Sequence, residues 1–251
     1  MIKIKNLSFA YGKTKILDDI SLTLSDKKLY GIIGPNGCGK STLLKLMSGF
    51  LQPDSGNIFI NGKDISTVNS NDLSLKLGFM PQTRPLPDMT VADYVLCGRF
   101  PHRNIKGNTL EKDRQILNYS LALTDTANFV DRPINQLSGG ERQRVYLALL
   151  LAQQTETVLC DEPTTYLDIK SNLSVMNILS RMKNEGKCVV AVLHDIVSAL
   201  KFCDEIVLMD NGKIIEIGVP ESIIKGENLN KVFGVSCKEI ITEKGKNYIF
   251  E

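Results

Sequence analysis

The stretch GPNGCGKS, Gly34–Ser41, constrains this chain more than any other. It fits G-x-x-x-x-G-K-[ST], follows the apolar run Leu29–Ile33 and opens STLLKLMSG, an apolar-periodic segment that stops at Gly49. A strand passing into a helix through a glycine-rich turn presents backbone N–H groups and the positive helix end together. That combination cradles phosphate oxygens. Such loops sit at the carboxyl edge of a parallel sheet, so the pattern demands an α/β fold. The candidate nucleotide-binding run is Gly34, Pro35, Asn36, Gly37, Cys38, Gly39, Lys40, Ser41 and Thr42. Lys40 is placed to reach the β- and γ-phosphates of ATP, and the Ser41 hydroxyl to bind Mg²⁺. A glycine-rich turn with an exposed lysine is the plain alternative, and the flanking strand and helix argue against it. Cys38 lies inside the loop, so a bulky thiol reagent is expected to block it and ATP to protect it.

The rest of the chain agrees with an α/β core. VLCDEP, Val158–Pro163, is an apolar strand ending in two acids. Asp161 would be the acidic partner of Ser41 at Mg²⁺ through water, and Glu162 would polarise the attacking water. Two solvated acids at a strand end are common, and the phosphate loop is what raises them to a site. Gln82 follows the strand KLGFMPQ and could contact both Mg²⁺ and water. His194 ends the buried strand CVVAVLH, within reach of a γ-phosphate, and Tyr11 ends the first strand, where it could stack on adenine.

Strands alternate with helices after residue 154, which predicts a mainly parallel sheet with crossover helices. The N-terminal eighty or so residues hold short strands and turns, among them the hairpin-like DSGNIFINGKD with Asn61-Gly62 at its turn. From about Pro87 the texture becomes helical. TVADYVLCG has a Thr90/Asp93 capping pattern, and residues 109–124 carry apolar positions 110, 116, 117 and 121. We read one domain over 1–251: core and β subdomain from 1–87 and 154–251, split by a helical subdomain at 88–153. Residues 220–234 read as a single helix.

Composition excludes several other classes. Thirty basic against 28 acidic residues leave a net charge of +2, no basis for bulk nucleic-acid binding. The longest apolar runs, YLALLLA and CVVAVL, are too short to cross a bilayer, and the first twelve residues alternate as a strand does rather than as a signal peptide. Six cysteines without a C-x-x-C pair, several inside apolar runs, read as buried thiols.

LSGGERQR, Leu137–Arg144, then places two glycines before another helix, a second phosphate-facing helix end in a chain that already has one. Ser138 and the amides of Gly139 and Gly140 could close the open face of a γ-phosphate. If the two sites cannot meet in one subunit, a head-to-tail pair of subunits would bury two ATPs between them.

The motifs GPNGCGKS, Gln82, LSGGE, VLCDEP, Tyr166–Asp168 (YLD) and His194 occur in the order found in ATP-binding cassette (ABC) ATPases, and the chain resembles that family throughout. The resemblance implies ATP hydrolysis by a homodimer. It implies Tyr11 as the adenine-stacking aromatic, Gln82 in the loop that senses a membrane partner, and Glu162 as the catalytic carboxylate. It further implies Asp168 in a loop facing across the dimer and His194 as the switch histidine. A finer likeness lies in VLCGRFPHR, Val95–Arg103, and in the tail ENLNKVFGVSCKEI. Both resemble the ATPases of bacterial iron–siderophore, haem and cobalamin importers. This implies a peripheral subunit on the cytoplasmic face of the membrane, bound to permease subunits and served indirectly by a substrate-binding protein. Arg99, His102 and Arg103 would then face the permease. The competing readings are an assembly ATPase, as in iron–sulphur cluster formation, a nucleic-acid- or ribosome-associated cassette, and another small-solute importer.

Overall fold

The computed structural model describes residues 1–83, 86–102, 110–242 and 245–250. Two long strands, β1 (Ile2–Tyr11) and β2 (Thr14–Leu24), pair antiparallel, and β4 (Ser55–Ile60) and β5 (Lys63–Asp64) extend them into a sheet ordered β2-β1-β4-β5. Strand β2 was not legible beforehand, because a bulge breaks its alternation. Asp19 adopts a left-handed backbone (φ 56°) and the register shifts on either side, so Leu17, Ile20, Leu22 and Leu24 face inward at uneven spacing.

The second sheet has six strands in the order β10-β9-β3-β8-β7-β6. They are β3 (Leu29–Ile33), β6 (Leu77–Met80), β7 (Thr157–Asp161), β8 (Cys188–Val192), β9 (Glu205–Asp210) and β10 (Lys213–Gly218). All neighbours are parallel except β9 and β10, which pair antiparallel as a hairpin. Every residue of β3, β7 and β8 is buried, as strands covered on both faces require, and this is why they read as unbroken apolar runs.

Helices cover the two faces separately. On one face, Leu43, Leu44, Leu46 and Met47 of α1 (Lys40–Met47) pack with Tyr30, Ile32, Val190 and Val192, and that core continues into the N-terminal sheet. On the other face, α6 (Ile169–Asn184) and α7 (Ile196–Phe202) meet Leu29, Ile33, Val189 and Ala191. The short α2 (Ser70–Ser74) precedes β6.

Three helices, α3 (Val91–Cys97), α4 (Leu110–Leu123) and α5 (Gly139–Ala152), gather a further core that includes Val91, Val95, Ile116, Leu117 and Leu121. Helix α5 belongs to two cores at once: Val145, Ala148 and Ala152 face α3 and α4, while Leu147, Leu150 and Leu151 face the large sheet. Hence its run YLALLLA is apolar all round. No helix among the described residues is long and apolar enough to cross a membrane.

Residues 220–234 differ from the single helix expected. They form α8 (Pro220–Lys225) and α9 (Asn228–Phe233), parted at Gly226, whose extended backbone ends α8. The tail folds back as a hairpin of β11 (Cys237–Thr242) and β12 (Gly245–Phe250), which was not foreseen. No disulfide forms; five of the cysteines are buried and Cys97 is half-buried, as expected of thiols in apolar runs.

Candidate active site

Strands β3, β7 and β8 lie side by side, so their carboxyl ends deliver the phosphate loop, Asp161-Glu162 and His194 to one edge. A cleft of about 250 Å³ there is lined by Asn36, Gly39, Lys40, Ser41, Glu162 and His194, among others. Gly39 caps α1 with a left-handed backbone (φ 104°), and a Cβ there would lie 2.6 Å from Leu17 Cδ2. Only glycine lets the turn sit that close to β2. Lys40 is buried and its Nζ donates to the carbonyls of Gly34 and Pro35, both at 2.8 Å. The ammonium is therefore held at the rim of the turn by the loop's own carbonyls, which fixes its position before any phosphate arrives.

Ser41 Oγ donates to Asp161 Oδ1 at 2.8 Å. Asp161 is 1% exposed, and its other oxygen, Oδ2, is buried with no partner among the described residues. Burial pushes this carboxyl above its usual range. An orphaned, desolvated carboxylate oxygen beside a hydroxyl fits a hard, oxygen-seeking cation such as Mg²⁺. Among the described residues no group of three or more His, Cys, Asp and Glu could hold an ion by itself.

Glu162 is the most elaborately held side chain of the site. His194 Nε2 donates to its Oε1 at 2.6 Å, while Gln82 Nε2 (2.6 Å) and Thr165 Oγ1 (3.0 Å) donate to its Oε2. Its backbone is left-handed (φ 52°), unusual for a residue with a side chain and a sign of strain tolerated for position. The structure thus unites Gln82, Glu162 and His194, which lie far apart in sequence. Thr165 was not anticipated; a hydroxyl three residues after an acid carries no sequence signal by itself. Ile16, on β2, also lines the cleft and was equally silent. Tyr11 is half-exposed and stands edge-on to Phe9, centroids 4.9 Å apart.

Ser138 caps α5. Its Oγ and its N–H both donate to Glu141 Oε2 at 2.8 Å, and the Glu141 N–H returns a bond to Ser138 Oγ, a complete capping box. These bonds hold the Glu141 carboxyl below its ordinary value. Gly139 lines a different cleft of about 280 Å³, beside Gln82, Arg142, Gln143 and Tyr166. The two clefts share no lining residue. Asp168 caps α6, accepting from the Ser171 N–H at 2.7 Å, and this bond lowers its carboxyl pKa.

Two expectations need correction. Arg99 does not face outward: it is 3% exposed, its Nε donates to Asp113 Oδ1 at 2.9 Å and its Nη1 to the Ala152 carbonyl at 2.8 Å and to Gln154 Oε1 at 2.9 Å. His102 meets the Gln153 carbonyl at 2.8 Å, and Arg103 lies outside the described residues. The GRFPH segment is thus a clasp on the end of α5, because a guanidinium can satisfy three acceptors at once where α3, α4 and α5 converge. Cys38 is 5% exposed and burial raises its thiol pKa, so the reactive thiolate is scarce. Peptide mass mapping after brief treatment with a bulky maleimide is expected to find Cys38 largely unmodified in the folded protein and modified once it is denatured. Rapid inhibition that disappears in Cys38→Ala would reinstate the accessible thiol.

Fold and site are those of a phosphate-loop nucleotide-binding protein. The family model "ABC transporter" matches residues 17–165. The chain is 37% identical over 248 residues to the iron(3+)-hydroxamate import ATP-binding protein FhuC of Bacillus subtilis, covering 98% of this chain and 92% of that one. It is 33% identical to the ferric enterobactin transport ATP-binding protein FepC of Escherichia coli, covering 93% and 87%. It superposes with a TM-score of 0.77 on the dimeric ATP-binding cassette MJ0796 bound to ADP and phosphate, at 29% identity and over 88% of this chain and 99% of that one. The chain belongs to the ABC transporter family, whose ATP-binding domains bind ATP and hydrolyse it.

Proposed function

We propose that this chain is the ATP-hydrolysing subunit of an importer for iron(III)–siderophore chelates, acting as a head-to-tail homodimer on a separate membrane permease. Haem and cobalamin are the neighbouring cargo chemistries. The observation that supports the dimer is that Ser138, Gly139 and Gly140 line no part of the phosphate cleft, although the cleft that Gly139 lines adjoins it where Gln82 and Thr165 reach Glu162. Lys40, Ser41, Glu162 and His194 share the phosphate cleft, whereas the Ser138–Gly140 helix end opens beside the other. Two copies facing head to tail bring the helix end of one to the phosphate cleft of its partner. The cargo class rests on the siderophore-import relatives.

In this reading the amides of Gly34–Thr42 wrap the phosphates, Lys40 neutralises their charge, and Tyr11 stacks on adenine. Ser41, Asp161 and Gln82 would hold Mg²⁺, which when bound offsets the negative charge of the phosphates. Water attacks the γ-phosphorus as the bond to the bridging oxygen breaks, and ADP and phosphate leave. Glu162 takes the proton of that water, and His194 orients the carboxylate. Ser138, Gly139 and Gly140 of the partner subunit close the site, and Asp168 caps the loop that faces it. Residues 88–153 act as the helical subdomain that docks against the permease on the cytoplasmic face, with the remainder as core and β subdomain. A substrate-binding protein delivers the chelate to the permease, and no nucleic acid is involved.

Ser138→Arg tests the trans site. Losing the cap costs about 1 kcal/mol, too little to unfold a domain of this size. The variant is expected to bind ATP as a monomer, neither dimerise nor hydrolyse, and fail to restore uptake of radiolabelled iron(III)–hydroxamate in cells lacking the chain. Normal hydrolysis would remove the trans role. Wild-type chain that restores uptake of a different solute, but not of the chelate, would overturn the cargo.

A further inference from the structure

We propose that Gln143 is a positioning residue that ties the Ser138 end of α5 to the aim of Glu162 in the same protomer. The proposal deepens the dimer reading above and rests on it.

The loop from Glu162 to Asp168 is held by α5 at both ends. At its start, Gln143, itself buried, donates from Nε2 to the carbonyl of Pro163. At its end, the first turn of α5 bears on the first turn of α6: a Cβ added at Gly140 would lie 2.4 Å from Ser171 Oγ, and Ser171 donates its N–H to Asp168. A shift of α5 is therefore met at two points, at Pro163 directly and at Asp168 through Ser171, with little slack.

The connection reaches the carboxylate through short, stiff steps. Pro163 follows Glu162 directly, and its ring fixes its own φ, so one of the two backbone rotations that could absorb a pull on the Pro163 carbonyl before it reaches Glu162 is removed. Glu162 and Tyr166 both adopt left-handed backbones (φ 52° and 61°), so the loop is wound into a conformation that relaxes if released. Thr165 on this loop donates to Glu162 Oε2 at 3.0 Å, so the loop and the carboxylate turn together. Gln143 and Thr165 also line one cleft with Gln82, the other donor to Oε2.

The consequence for a dimer is specific. Ser138–Gly140 of one protomer faces the nucleotide of its partner, while Glu162 of that same protomer faces its own. Gln143 lies between the two, so occupancy of one nucleotide site is felt by the carboxylate of the other. The two sites then hydrolyse cooperatively.

The experiment replaces Gln143 with Met, which keeps length and removes the donor, and with Glu, which keeps shape and sets a carboxylate against the Pro163 carbonyl. Steady-state hydrolysis is measured across ATP concentrations, with binding of a fluorescent ATP analogue and thermal melting alongside. Gln143→Met is expected to lose about tenfold in kcat, the scale of one buried hydrogen bond. Analogue affinity should stay within about twofold, and the Hill coefficient should fall from near 2, the number of sites, toward 1. A merely structural role would lower the melting temperature and weaken nucleotide binding without separating kcat from affinity. Wild-type kcat and cooperativity in Gln143→Met overturn the proposal. If the Met variant does not fold, the same comparison is made on Gln143→Glu. Each variant is also combined with Glu162→Gln and sized with ATP. No ATP-bound dimer even with Gln143 intact sinks the dimer reading, and this inference with it. A dimer together with undiminished turnover in the Gln143 variants sinks the inference alone.

Discussion

Glu162→Gln is expected to lower ATP turnover by about 10²–10⁴-fold, the usual worth of a general base, while leaving ATP affinity intact. The two effects separate because the carboxylate is held by neighbours that an amide also satisfies in part. Its carbonyl oxygen can accept from His194 or from Gln82 and Thr165, and a glutamine adopts the left-handed backbone at 162 no less readily than a glutamate. What the amide lacks at neutral pH is a basic lone pair for the proton of the attacking water. The nucleotide should therefore persist, and with it the dimer it bridges. Phosphate release measures the first effect, and size-exclusion chromatography with and without ATP measures the second. Turnover at the wild-type rate would take the base role from Glu162 and leave its three hydrogen bonds as structure only.

Arg99→Ala is expected to destabilise the protein by about 3–5 kcal/mol, because it removes one partner of a buried ion pair. Asp113 is 4% exposed and takes its ion pair from Arg99 Nε. The same substitution removes the donors to the Ala152 carbonyl and Gln154 Oε1, which close the end of α5. In a chain of this size the loss corresponds to a fall in melting temperature of roughly 6–20 °C. Arg99→Met combined with Asp113→Leu removes both charges and should recover much of it, since an apolar pair carries no desolvation penalty. Differential scanning calorimetry decides between them. A single variant melting within a degree or two of wild type would mean that the clasp is dispensable and that GRFPH serves another purpose.

The clasp also explains why the sequence misled at this segment. Arg99 and His102 stand in a helix-ending stretch with Pro101, where charged side chains are ordinarily solvated. Nothing local says that the carbonyls of Ala152 and Gln153, about fifty residues away, will need donors. The end of α5 makes that demand, and it exists only after α3, α4 and α5 have packed. Gln153 carries the link further: its side chain donates to the Ser74 carbonyl at 2.7 Å, joining this helical group to the chain just before β6.

Motifs whose chemistry is local were readable before folding. The phosphate loop needs only a strand, glycines and a helix in immediate succession, so Gly34–Ser41 announces both the α/β class and an anion site. The capping pattern at Thr90 and Asp93 is equally local and appears as read, with the Asp93 N–H donating to Thr90 Oγ1. Runs of apolar residues in β3, β7 and β8 follow from burial on both faces and placed the parallel sheet correctly. The bulge in β2, the break at Gly226 and the β11–β12 hairpin escaped because each departs from a simple period. What no single segment could specify is which donors would converge on Glu162. Gln82, Thr165 and His194 reach it because β6, β7 and β8 adjoin in that order, and strand order is settled by packing across the whole sheet rather than by any residue's own neighbours.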